Sequence, residues 1–312
     1  MIVVKSKTIV SVSLGSSLRN HQAEIELMDF RINIKRIGVD SDKKKFMQVL
    51  RELDGKVDAF GLGGADLYLR AGRYKYQVVD IAKMVSVLEK TPIVDGGELK
   101  ETWERRVPQI LVEKEKLDLQ GKTALFMSGM DRYGLAEGLS QQGCRLLIGD
   151  MPFALGIPIP LTRLSTLRFL SIIMMPVLRR LPLKVLYPTG KSQETRVTRS
   201  LHLFKRADIV AGDFLYINRF MPDDMKGKII ITNTVTNNDI ETLRKFGVKI
   251  LVTTTPEMNG RSFGANVLQA IFVSILEKHP DKILPEEYLQ LMNTLKMQPG
   301  LLYLEIISFK KC

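Results

Sequence analysis

Residues 128–139, "SGMDRYGLAEGL", decide how this chain is interpreted, because they connect two patterns typical of strands. The apolar run "TALFM" (123–127) precedes them, and "RLLIGD" (145–150) follows after the short stretch "SQQGC". Glycines stand at positions 129, 134 and 138. A glycine-bearing turn from a strand into a helix is typical of nucleotide-binding α/β units, and it also occurs in units that bind nothing. Both interpretations are open at this point.

Alignment of this turn with the pattern G-x-G-x-x-G favours a nucleotide. Gly129 and Gly134 match the first and third glycines, of which the third allows close packing of helix and strand. Asp131 replaces the middle glycine, so that Arg132 would have to neutralise it beside a diphosphate. Asp150 lies 21 residues after Gly129, where an acid accepts hydrogen bonds from the ribose of NAD. We therefore expect these five residues to bind NAD or NADP.

The bulk composition describes an ordinary globular protein with room for two domains. The chain has 312 residues, of which 45 % are hydrophobic and 26 % charged. Its two cysteines, Cys144 and Cys312, cannot form a disulfide framework, and no Cys/His spacing indicates a metal site. The first residues lack the pattern of a secretory signal. These features predict a cytoplasmic protein without a bound metal.

The net charge of +12 is concentrated in one segment. Residues 151–206 hold ten Lys/Arg and one acid, interleaved with large apolar side chains. This mixture does not suggest nucleic acid, and charges and prolines interrupt the apolar runs too often to span a bilayer. It suits a subunit interface, a lid over an apolar ligand or an element at a membrane surface. We expect a homo-oligomer, such as a dimer, and peripheral membrane or apolar-ligand contact through residues 151–187.

The order of strand and helix patterns predicts an α/β fold in two parts. An N-terminal α/β domain, which would hold the substrate, covers residues 1–118. A Rossmann-like domain with a doubly wound parallel sheet covers residues 119–280 and contains the basic apolar insertion 151–206. Residues 281–312 form a C-terminal tail.

Two stretches of the first domain carry a resemblance to a known family. They are "SVSLGSSLRNH" (11–21) and "TPIVDGGELK" (91–100). With the two-domain order, they make residues 1–278 resemble the shikimate/quinate 5-dehydrogenases, and the layout is also similar to that of acyl-carrier-protein reductases. The resemblance implies that Ser11, Ser13 and His21 hold the substrate and that Asp95 and Lys100 transfer a proton. For this role the pKa of Lys100 must be lowered.

Two loops after later strands add candidate cofactor contacts. They are "TNTVT" (232–236) and "TTTPEMNGRSFGANV" (253–267), and from them we expect Thr234, Thr254 and Arg261 to approach the nicotinamide nucleotide. The predicted function is an NAD(P)-dependent oxidoreductase that transfers hydride to a small-molecule substrate in the cleft between the domains. Two alternatives remain open: a non-catalytic Rossmann-like protein that binds a nucleotide or an anionic lipid, and an acyl-thioester reductase.

Overall fold

A computed structural model describes residues 5–71, 74–186, 196–197, 199–255, 257–258 and 261–304. The side chains of Ala71, Glu257, Met258, Arg261 and Ser262 lie outside this description. The first part of the chain forms the strands and helices β1 (Lys5–Ser13), β2 (His21–Leu27), β3 (Phe30–Gly38), α1 (Lys43–Leu53), β4 (Ala59–Gly63), β5 (Tyr68–Ala71), β6 (Tyr74–Gln77), α2 (Val79–Val85) and β7 (Ile93–Val94).

The first sheet has the order β2-β3-β1-β4-β7, in which only β2 runs antiparallel to its neighbour. Helix α1 covers one face, where its residues Phe46 and Leu50 are buried four positions apart. The Asp42 carboxylate begins this helix by accepting from the backbone N–H groups of Lys44 and Lys45. A capped helix with one apolar face thus follows from the local sequence.

The remaining chain adds a second sheet and its helices. Its first elements are α3 (Gly97–Glu101), α4 (Trp103–Glu113), β8 (Thr123–Phe126), α5 (Tyr133–Gln141), β9 (Arg145–Ile148), a π-helical turn (Asp150–Leu155), α6 (Leu164–Leu178), α7 (Leu183–Leu186) and α8 (Leu201–Arg206). They are followed by β10 (Ile209–Ala211), α9 (Phe214–Phe220), β11 (Ile229–Thr232), α10 (Asn237–Lys245), β12 (Ile250–Thr253), β13 (Glu257–Met258), β14 (Arg261–Ser262), α11 (Ala265–Leu276), α12 (Pro285–Thr294) and β15 (Gly300–Tyr303).

The second sheet has the order β15-β12-β11-β10-β8-β9, with only β15 antiparallel. Buried residues on both of its faces pack against helices, as in a doubly wound sheet. The α/β class is therefore confirmed. The order of the five parallel strands is the flavodoxin-like 2-1-3-4-5, whereas a dinucleotide-binding sheet has the order 3-2-1-4-5-6. In the described chain, β9 is the edge strand, so the predicted Rossmann-like order is not the one observed.

Helix α11 links the two sheets, because it follows β12 of the second sheet but packs on β1, β4 and β7 of the first. Gly96 makes this packing possible: its φ is +86°, and a Cβ there would lie 2.9 Å from that of Ala265. The connection α3–α4 separates the sheets along the chain. The predicted domain boundary after residue 118 falls between α4 and β8 and stays a prediction. Strand β15, expected in a separate tail, completes the second sheet.

Two glycines of α5 allow this helix to lie directly on the backbone of α3 and α4. A Cβ at Gly134 would overlap the carbonyl oxygen of Lys100, and one at Gly138 would overlap that of Arg105. Gly134 was expected to pack against a strand beside a cofactor. Its close neighbour is a helix instead, and the glycine pair sets the distance between the helices.

We predict that Gly134→Ala destabilises the protein by about 1–3 kcal/mol, since the added methyl forces the helices apart. Alanine is the better helix former by about 1 kcal/mol, so a stabilised variant would contradict this role. Urea unfolding measures the difference. Ser140→Ala, at an exposed position of the same helix, is the control and should stay within about 0.5 kcal/mol of the parent.

Candidate functional site

Charged side chains from both sheets meet at the carboxyl ends of the parallel strands. Asp66 follows β4, Asp131 lies in the turn after β8, and Asp213 follows β10. Lys100 of α3 and Arg132, the residue before α5, lie between these acids. We name these five residues the charged row. Ligands of open α/β sheets bind at this edge, which makes the row the candidate site.

The charges in the row alternate in sign. The Lys100 Nζ lies 2.8 Å from Asp66 Oδ1 and 2.6 Å from Asp131 Oδ1. The Arg132 Nε lies 3.0 Å from Asp131 Oδ2, and its Nη2 lies 3.6 Å from Asp213 Oδ2. Arg132 is buried and the Lys100 side chain is 13 % exposed, whereas the carboxylates of Asp66, Asp131 and Asp213 are 23 %, 29 % and 37 % exposed. The acids therefore face the solvent and the cations lie behind them.

A buried carboxylate supports the row from below. Glu104 Oε1 accepts from Arg132 Nη1 at 2.5 Å and from the Thr254 hydroxyl at 3.0 Å. The Trp103 indole N–H donates to the Thr254 carbonyl oxygen at 2.6 Å. Thr254, expected beside a cofactor, is thus a buried link between β12 and helix α4. Glu104 Oε2 has no hydrogen-bond partner within the described part of the chain.

The ends of β10, β11 and β12 are joined by a second set of contacts. The Asn233 amide Nδ2 donates to Asp213 Oδ2 at 2.8 Å, and the Thr255 hydroxyl donates to the Asn233 carbonyl oxygen at 2.8 Å. Asp213 also caps α9 through the backbone N–H of Leu215. Thr234 is half-buried in the loop after β11. These contacts hold Asp213, the last acid of the row, in place.

The pKa values of Lys100 and Asp131 favour the charged state of both groups, whereas burial raises the pKa of Asp66. Burial opposes the charge of Lys100, but Asp131 and Asp66 raise its pKa above the ordinary value. Burial likewise opposes the charge of Asp131, but Lys100 and Arg132 hold its pKa well below the ordinary range. Proton transfer by Lys100 would need a lowered pKa, whereas its ammonium group is held between two carboxylates that raise it; the catalytic role stays a prediction.

The glycine turn contains a carboxylate of its own chain where a diphosphate was expected. Asp150 Oδ2 accepts from the backbone N–H of Gly129 at 2.7 Å. Its Oδ1 accepts from the N–H of Met130 at 3.2 Å and from the Ser128 hydroxyl at 2.9 Å. Burial raises the pKa of Asp150. The predicted contact of Asp150 with a ribose is therefore wrong, because the side chain turns back and uses the amide groups that would bind phosphate.

Asp95, the other predicted proton-transfer residue, braces a loop. Its Oδ2 accepts from the backbone N–H groups of Leu67 and Tyr68 at 2.9 and 3.0 Å. Its Oδ1 accepts from the N–H of Gly97 at 2.8 Å. The side chain is buried and does not contact Lys100, so the structure does not bring the expected pair together.

The predicted substrate-binding serines make contacts within the first sheet and its neighbours. The Ser11 hydroxyl accepts from the Asn266 amide Nδ2 at 3.1 Å, which ties β1 to α11. The Ser13 hydroxyl oxygen accepts from the backbone N–H of Gly15 at 3.1 Å and from Arg36 Nη2 at 3.0 Å. Both serines are buried, and neither contacts the charged row.

His21 begins edge strand β2 and is exposed, with its Nδ1 3.1 Å from the carbonyl oxygen of Arg19. The side chain of Arg261 lies outside the described residues. The sequence reasoning missed Asp66, Glu104 and Asp213. A signal for two of them is present, because "GLGGAD" and "IVAGD" each place an aspartate just beyond a buried strand.

The comparisons with known proteins place the chain in a family without an assigned activity. A family model described as "Domain of unknown function (DUF8754)" matches residues 98–304, about two thirds of the chain. The chain belongs to this family. A second model, "Domain of unknown function (DUF8753)", matches residues 8–95. No curated protein matches the chain.

Several solved structures align with this chain along most of its length. A solute-binding protein of an ABC transporter from Burkholderia multivorans has 11 % identity and a TM-score of 0.37, covering 96 % of this chain and 99 % of its own. A glucose-galactose binding protein from Geobacillus stearothermophilus has 9 % identity and a TM-score of 0.37, covering 98 % and 100 %. A glutamate dehydrogenase from Thermus thermophilus has 12 % identity and a TM-score of 0.43, covering 95 % and 74 %.

These findings correct the predicted family and chemistry. The two family models that match the chain describe domains of unknown function, and neither is a model of shikimate or quinate dehydrogenases. The turn that should hold NAD or NADP is occupied by Asp150. The resemblance to shikimate/quinate 5-dehydrogenases, the NAD(P)-dependent oxidoreductase and the nucleotide-binding alternative are therefore wrong. The acyl-thioester reductase was an alternative within the same predicted function, and it is wrong as well.

The described residues contain neither a membrane-spanning helix nor a cluster of metal ligands. No helix there is long and apolar enough to cross a membrane. No group of three or more His, Cys, Asp or Glu side chains there is arranged to hold a metal ion.

Glu101, next to Lys100, makes the stability of this region depend on pH. Burial raises the pKa of its carboxyl to about 7, and Arg105 only partly opposes this shift. A raised pKa in the folded state means that folding favours the protonated acid. The contribution of Glu101 to the free energy of unfolding is therefore fully present below about pH 4.3 and is lost as the pH rises through about 7.

We predict that Glu101→Gln removes most of this dependence, because the amide stays neutral. Between pH 5 and pH 8, the free energy of unfolding of the parent should fall by on the order of 3 kcal/mol more than that of the variant. Urea midpoints at the two pH values measure this difference. Glu115→Gln, at an exposed position, should behave like the parent, and parallel pH profiles of parent and Glu101→Gln would contradict the role of Glu101.

Proposed function

We propose that this protein binds a small, hydroxyl-rich molecule at the charged row. The observation that carries the proposal is the alternation of carboxylates and cations from Asp66 to Asp213. The row lies where the carboxyl ends of both sheets meet, and its three carboxylates are partly exposed. This edge is the usual place for a ligand in an open α/β sheet.

The alternation of charges suits hydroxyl groups. A hydroxyl both donates and accepts hydrogen bonds, so neighbouring hydroxyls can bond to Asp131 and to Lys100 or Arg132 at once. A neutral ligand then adds no charge to the row. The row holds three carboxylates and two cations, and Glu104 beneath it adds a further acid. An anion such as diphosphate is repelled by this excess of negative charge.

Two open depressions of the described surface lie away from the row. One of about 540 Å³ is lined by Thr123 and Arg145, at the amino ends of β8 and β9. Another of about 490 Å³ is lined by Asp223, Lys245 and neighbouring residues. Lys100 and Arg132 are paired with the acids of the row, so a ligand there binds by exchange, in which its hydroxyls replace part of these contacts.

Isothermal titration calorimetry with a panel of neutral monosaccharides and cyclic polyols tests this proposal, with NADH and inorganic diphosphate as anionic probes. We expect saturable binding of at least one polyol and none of either anion. Asp131→Asn should weaken the polyol at least about tenfold, which corresponds to about 1.4 kcal/mol for one lost charged hydrogen bond.

Two further variants make the result decisive. Asp213→Asn also removes a carboxylate from the row, but it breaks one contact with a cation instead of two, so it preserves the fold better than Asp131→Asn. Asp118→Asn, at a carboxylate that is 77 % exposed and outside the row, should bind like the parent. Binding of diphosphate, no binding by any polyol, or polyol binding unchanged in both row variants would overturn the proposal.

Contact between residues 151–187 and a membrane or an apolar ligand is a second proposal. It is favoured by one observation, a line of exposed apolar side chains on α6. Self-association and a cytoplasmic location stay predictions.

A further inference from the structure

Helix α6 has apolar side chains on two opposite faces. Leu167 and Met175 are buried and face the core, where α6 lies against β5 and β6. On the other face Phe169, Ile173 and Val177 are 63 %, 57 % and 63 % exposed. Residues four apart lie on one side of an α-helix, so these three form a continuous line. We name it the apolar stripe.

Further large apolar side chains are exposed close to the stripe in the sequence. The neighbouring stretches before and after α6 expose further large apolar side chains, namely Leu155, Ile157, Ile159 and Val185. Single exposed apolar residues are ordinary, but a group of seven within 31 residues of sequence is not. A surface of this kind marks a contact with a partner.

The charge around the stripe identifies the kind of partner. Residues 151–186 contain five basic side chains and no acid: Arg163, Arg168, Arg179, Arg180 and Lys184. A second copy of the chain would bring two such basic surfaces together, which costs electrostatic energy. A lipid bilayer with acidic headgroups offers both an apolar phase and negative charge.

Contacts at the carboxyl end of α6 attach this helix to the first part of the chain. The backbone N–H of Val79, the first residue of α2, donates to the Arg179 carbonyl oxygen at 2.9 Å at the end of α6. Leu183, in the following helix α7, is buried in the core of the first sheet. The stripe therefore faces outward from a fixed surface of the protein.

We infer that α6 docks on a membrane surface that contains acidic phospholipids. The apolar stripe enters the boundary between headgroups and acyl chains, and the flanking arginines and lysine bind lipid phosphates. Each basic residue near such a surface contributes on the order of 1 kcal/mol. This inference rests on the second proposed function and narrows its partner to an acidic bilayer.

Co-sedimentation of the full-length protein with vesicles tests the inference. Vesicles of phosphatidylcholine alone are compared with vesicles that contain about 30 % phosphatidylserine, at low and high salt. We expect at least about tenfold stronger binding to the acidic vesicles, weakened at high salt.

Ile173→Glu should abolish binding, and Arg179→Gln combined with Arg180→Gln should reduce the preference for acidic lipid. Leu18→Glu, at a site that is 92 % exposed and outside the stripe, is the matched control and should bind like the parent.

The outcomes distinguish failure of the docking on acidic lipid from failure of the proposed membrane or apolar contact through residues 151–187. Equal binding to both kinds of vesicle would overturn the role of acidic lipid but leave apolar contact through residues 151–187 in place. Absence of binding to any vesicle would overturn the inference, and a dimer in light scattering that Ile173→Glu dissociates would assign the stripe to a second copy. An effect of Leu18→Glu equal to that of Ile173→Glu would also contradict a specific role of α6.

Discussion

The ammonium group of Lys100 is the contact on which the arrangement of the two sheets depends. It lies between Asp66, which follows a strand of the first sheet, and Asp131, which follows a strand of the second. A cation that is only 13 % exposed is stable only with good partners, so its position fixes both carboxylates. Arg132 extends the same pattern to Asp213 and Glu104. The carboxyl ends of the two sheets are thereby held together by opposite charges.

The helices around this contact make it possible. Gly134 and Gly138 let α5 lie on the backbone of α3 and α4, which places Arg132 beside Glu104 and Lys100 beside Asp131. Helix α11 crosses from the second sheet to cover the first, so the hydrophobic core is continuous between them. Apolar packing thus sets the distance between the two sheets. The charged row then selects one alignment, because a shift of either sheet edge would leave a buried charge without a partner.

Much of the local structure could be predicted from the sequence, while the pairing of distant residues could not. Apolar runs and helix caps predict the strands and α1, and the turn at Gly129 indicates where Asp131 and Arg132 lie. The spacing between Gly129 and Asp150 is the same whether the carboxylate faces a ribose or its own turn, so the sequence could not exclude the wrong assignment. Asp66 is 34 residues from Lys100, and no periodic pattern relates them. The basic apolar segment was evident, but only the burial of Leu167 and Met175 shows which side of α6 faces outward.

A double-mutant cycle on Lys100 and Asp131 tests the central role of this ion pair. Lys100→Met keeps the length of the side chain and removes its charge, Asp131→Asn keeps the shape of its partner, and urea unfolding at pH 7 gives the free energy of each variant. We expect Lys100→Met alone to lose about 3–5 kcal/mol, because it removes the cation that lies between the carboxylates of Asp66 and Asp131. The double variant should recover at least about 1 kcal/mol of the summed losses. A coupling energy near zero, with a loss below about 1 kcal/mol for Lys100→Met, would contradict the account.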